Sequence, residues 1–79
     1  MTLTIAYILR LEQYLKPMGI QAAEFFAKHI DKAVYKTVTL SPSASPSLQL
    51  LFLTARALGV TPEEFLNCDF FRSSDLILE

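Results

Sequence analysis

The chain has 79 residues, 52% of them hydrophobic, with seven Lys and Arg against eight Asp and Glu for a formal net charge of −1. That length admits one small domain with ample core material and no second domain, and the near-neutral sum argues against a uniformly basic nucleic-acid binder. One Cys, Cys68, and one His, His29, exclude an internal disulfide and any familiar zinc spacing, so a free buried thiol in a reducing, cytoplasmic setting is expected, with no metal and no cofactor.

From Leu3 to Leu15 the residues Ile5, Ile8, Leu9, Tyr14 and Leu15 follow three-and-four spacing, with Arg10, Glu12 and Gln13 mostly elsewhere on the wheel. This predicts the first helix. Lys16-Pro17-Met18-Gly19 should end it, because the residue before a proline is pushed away from helical geometry and glycine accepts positive φ. A second helix is predicted over Ile20 to His29, where alanines allow close approach and Phe25 and Phe26 supply core. Asp31 can cap a third helix over Lys32 to Thr39, which three β-branched residues near its end weaken. Ser41 to Pro46, with two prolines and three serines, reads as a loop.

Local signals converge in Pro46 to Leu66. Ser45 offers an N-cap with Pro46 in the first turn, and Gly59 follows Leu58 where a left-handed residue stops a helix. Thr61 and Glu64 then form a capping box, and Val60 and Phe65 take the two positions of a hydrophobic staple. Beyond Leu66 the acidic, apolar tail carries Phe70, Phe71, Leu76, Ile77 and Leu78, which either close the core or form a dimer contact. No apolar run is long enough for a bilayer span and no signal-like leader is visible. Phosphate-cradling glycine loops, paired acids and a nucleophile with its base are all missing, which disfavours an enzyme.

Pro46, Ser47, Leu48, Leu51, Ala55, Ala57, Leu58, Gly59, Val60, Thr61, Pro62, Glu64, Phe65 and Leu66 together resemble the last two helices of the lambda-repressor-like, Cro/XRE-type helix-turn-helix domains. The resemblance implies an all-α, compact bundle of about five short helices over residues 1–67, with 68–79 as a short C-terminal extension. It implies a small transcriptional regulator of phage, mobile-element or antitoxin type that binds double-stranded DNA, often as a symmetric homodimer. By that resemblance Gln21 contacts phosphate, while Lys28, Lys32, Tyr35, Lys36 and Thr39 face phosphate or the major groove. Lys28, Lys32 and Lys36 recur every four residues and would form a basic stripe if the intervening turn is short. The expected recognition segment contains neither arginine nor asparagine, the strongest readers of guanine and adenine. That composition points to the alternative: a helix-turn-helix scaffold without DNA binding, engaging a protein partner through its acidic C-terminal end.

Overall fold

A computed structural model describes residues 1–31, 46–72, 74 and 76. The predicted third helix, Lys32 to Thr39, lies outside these residues, as do Ser41 to Ser45 of the predicted loop. Among the described residues there are five α-helices, one 3-10 turn and no strand, so the expected all-α class holds at this level. We label the helices α1 (Leu3–Leu15), α2 (Ala22–His29), α3 (Leu48–Leu58), α4 (Pro62–Leu66) and α5 (Asp69–Arg72), with the 3-10 turn at Lys16–Met18.

Helix α1 starts where the Thr2 hydroxyl accepts from the Ile5 N–H at 3.2 Å. Its end falls at Leu15 as expected, although the residue before Pro17 is not pushed out of helical geometry. Lys16 remains helical at φ −57° and ψ −47°, and the chain tightens into the 3-10 turn, which accommodates Pro17 near its start. Gly19, at φ +69°, supplies the actual stop. Its N–H donates to the Lys16 carbonyl at 3.1 Å and that of Ile20 to the Leu15 carbonyl at 3.2 Å, the two bonds of a Schellman motif. Ile20 is thereby spent on closing the preceding turn, so α2 begins at Ala22, two residues later than predicted.

The buried stripe of α1 also differs from the predicted one. Thr4, Tyr7, Leu11 and Leu15 are buried, whereas Ile5 is 43% exposed and Ile8, Leu9 and Tyr14 are half-buried. Apolar residues lie on several sides of this wheel, and packing, not hydrophobicity, selects among them. The core cluster joins Tyr7, Leu11 and Leu15 to Phe25 and Phe26 of α2, Leu50 and Ala55 of α3, and Phe65 of α4.

Helix α3 starts at Leu48 because Ser47, not Ser45, is its N-cap: the Ser47 hydroxyl accepts from the Leu50 N–H at 3.0 Å. Pro46 therefore precedes the cap instead of occupying the first turn. Gly59, at φ +77°, ends α3 as predicted, with a second Schellman pair from Gly59 N–H to the Arg56 carbonyl and from Val60 N–H to the Ala55 carbonyl. Thr61 caps α4 by accepting from the Glu64 N–H at 3.1 Å, and Pro62 takes the first-turn position.

Phe65 is the hub of α4. Its ring is fully buried, 5.8 Å from Tyr7, 6.0 Å from Tyr14 and 6.2 Å from Phe71, all within the range of attractive aromatic pairs. Short α5 thus places Phe71 against the core cluster. Cys68, expected to be buried, is half-buried and free.

Candidate nucleic-acid interface

Helix α2 turns Phe25 and Phe26 inward and leaves Ala23, Glu24, Ala27, Lys28 and His29 exposed. Gln21 sits at its N-cap position, exposed and with no side-chain bond to the first turn. Gln21 and Lys28 are seven residues apart, so two helical turns bring them to one edge of the exposed face. His29 lays its ring 5.2 Å from that of Phe25, a packing contact at the helix end.

A cleft of about 380 Å³ lies between the end of α1 and the start of α2, lined by Glu12, Leu15, Lys16, Ile20, Gln21, Ala22 and Ala23. The first-turn N–H groups of an α-helix have no intrahelical acceptors, and the backbone dipoles concentrate partial positive charge there. With no side-chain cap, that end of α2 is open to an anion arriving through the cleft beside Lys16. Charge on this side is balanced, however: Lys16 and Lys28 oppose Glu12 and Glu24.

Of the residues expected to meet DNA, the structure therefore places Gln21 and Lys28 on one exposed helix edge. Lys32, Tyr35, Lys36 and Thr39 lie outside the described residues, and with them the question of a lysine stripe. Of the tail residues, Phe70, Phe71 and Leu76 are half-buried, and Ile77 and Leu78 lie outside the described residues. Phe71 faces Phe65 in the manner of the core-closing alternative.

Two polar constellations escaped the sequence reading. Arg10, expected to lie off the apolar stripe, reaches across to the end of α4. Its Nε donates to the Phe65 carbonyl at 2.7 Å, one Nη to the Glu64 carbonyl at 2.9 Å and to the Tyr14 hydroxyl at 3.0 Å, and the other Nη to Gln13 Oε1 at 3.0 Å. The guanidinium also lies 4.7 Å from the Tyr14 ring centre. The Phe65 carbonyl belongs to the group that a helix end leaves without intrahelical partners, and the Glu64 carbonyl also accepts from the Asn67 N–H at 3.2 Å, so Arg10 caps α4 from α1.

The second constellation is buried. The Thr54 hydroxyl donates to the Leu50 carbonyl at 2.7 Å, which uses its one proton, and so the Tyr7 hydroxyl 2.6 Å away donates to Thr54. Desolvation pushes the Tyr7 pKa up to about 12. Both groups serve packing, and neither touches the α2 cleft.

Among the described residues no set of three His, Cys, Asp or Glu side chains is placed to hold a metal ion, and no helix is long and apolar enough to cross a membrane. No family model, curated protein or solved structure matches the chain.

Proposed function

We propose that the chain is a small DNA-binding transcriptional regulator of phage, mobile-element or antitoxin type, acting by occupying an operator. The observation that carries this reading is the uncapped start of α2, opening on Gln21 into a cleft that also presents Lys16. A phosphate seated there would accept from first-turn N–H groups that nothing in the helix itself satisfies. Lys28, on the same edge as Gln21, supplies a second cation toward the backbone. Lys32, Tyr35, Lys36 and Thr39 are the residues to which we assign major-groove and adjacent phosphate contacts, and because Lys16 and Lys28 are balanced by Glu12 and Glu24, Lys32 and Lys36 must carry the net attraction.

The test is fluorescence anisotropy of labelled random and genomic duplex DNA at low and moderate salt. We expect salt-sensitive binding whose log–log slope falls by about 2 in the Lys32→Ala/Lys36→Ala variant, close to one for each lost phosphate contact. Absence of binding at low salt would remove the DNA reading.

A further inference from the structure

Helices α1, α3 and α4 enclose a second cleft of about 320 Å³ that shares no lining residue with the α2 edge, predominantly apolar and lined by Leu3, Tyr7, Leu48, Leu51, Phe65 and Leu66 among others. That volume suits one or two apolar side chains. Its rim is continuous with a face of α3 that no other described residue covers. Leu48 is 71% exposed and Phe52, one turn further along α3, is 50% exposed, an arrangement that costs hydration free energy in isolation. Leu66 belongs to this cleft and also to a neighbouring hollow lined by Thr61, Glu63, Glu64, Asn67 and Arg72. The apolar cleft and this acidic bank therefore meet at Leu66.

We propose that this surface docks a basic amphipathic segment of a partner protein, one apolar side chain entering the cleft and lysine or arginine side chains meeting Glu63 and Glu64. Charge decides the occupant. On the acidic bank Glu63, Glu64 and nearby Asp69 outnumber Arg72, which is held 4.0 Å from Asp69, and Arg10, whose guanidinium is engaged by the Glu64 and Phe65 carbonyls. Arg56 is the cation on the exposed face of α3, eight residues beyond Leu48 and so about 12 Å along the axis, away from the cleft. A second copy docked on this surface would bring a second acidic bank and no basic one to the interface, and like charges there disfavour it. An anionic lipid surface is disfavoured for the same reason. The surface shares no residue with the α2 edge, so the inference stands apart from the DNA reading.

The experiment uses the full chain and a fluorescein-labelled helical peptide with a leucine stripe and lysine elsewhere, alongside a control with glutamate at every lysine. Leu48→Asp is the informative variant: the side chain is exposed, and an acid in the first turn of α3 suits the helix dipole, so the fold is retained, as urea midpoints would verify. We expect the lysine peptide to bind, the glutamate peptide not to, and Leu48→Asp to weaken binding by about tenfold or more. Glu63→Gln/Glu64→Gln should weaken it a few-fold, most at low salt. No binding, equal binding of both peptides, or binding indifferent to Leu48→Asp would overturn the proposal. So would sedimentation showing a dimer that Leu48→Asp dissociates and the lysine peptide does not displace. Duplex DNA affinity should be the same for Leu48→Asp and the unaltered chain, which separates the two readings.

Discussion

Replacing Arg10 by methionine should destabilise the domain more than any other surface-reaching substitution, because it removes the cap on α4 while keeping the aliphatic stem. The 2.7 Å bond to the Phe65 carbonyl is partly buried and charge-assisted, a class contributing about 1.5–3 kcal/mol, whereas the bond to the Glu64 carbonyl is exposed and water can replace it. Stacking on Tyr14 at 4.7 Å adds roughly 0.5–1 kcal/mol. A total near 2–4 kcal/mol follows, equivalent to a fall in Tm of roughly 8–32 °C for a domain of this size. Arg10→Lys should recover less than half of it, since one ammonium cannot span both carbonyls and the Tyr14 hydroxyl together. Urea unfolding followed by circular dichroism measures each difference. If Arg10→Met stays within about 0.5 kcal/mol of the unaltered chain, the contacts are present without contributing, as for many exposed ionic contacts, and the reasoning fails.

Two further outcomes follow from the buried and left-handed positions. Tyr7, with its folded pKa near 12 against about 10 when unfolded, binds its proton more tightly in the native state. Its contribution is therefore complete below pH 10 and is lost as pH rises from 10 toward 12, up to roughly 2–3 kcal/mol. Tyr7→Phe should lose about 1 kcal/mol at neutral pH yet lack that component of the alkaline decline, as urea midpoints across pH 9–12 would record. Gly59→Ala introduces a Cβ that meets nothing within 4 Å, so only the φ of +77° resists it. The expected cost is about 1 kcal/mol, smaller for Gly59→Asn, and a neutral alanine variant would mean that the turn relaxes.

Where the determinants are local, the sequence was legible. Gly59 ends α3 and Thr61 caps α4 because both choices depend on a few adjacent backbone groups, and the limits of α1 follow from its apolar spacing. The choice between Ser45 and Ser47 was misread, since two serines flank Pro46 and only the formed turn shows which hydroxyl meets an N–H. Arg10, Tyr7 and Thr54 were invisible for a different reason. Their partners lie 47 to 55 positions away, and neither periodicity nor propensity carries information at that range. The apolar cleft was hidden likewise, since Leu3, Leu48 and Leu66 reach it from three separate helices, although the acidity beside it was plain in Glu63 and Glu64.

The bond from Arg10 to the Phe65 carbonyl spans 55 positions, so α1 is made well before the partner that satisfies it. At roughly 5–20 residues per second, translation needs about 3–11 s to supply that partner after Arg10 has been added. Throughout that interval the nascent chain carries Tyr7, Leu11 and Leu15 without Thr54 or Phe65 to receive them. The domain is therefore completed in one late event near its carboxyl side, and any nascent fragment ending before Phe65 would offer a sticky helix to the chaperones around it.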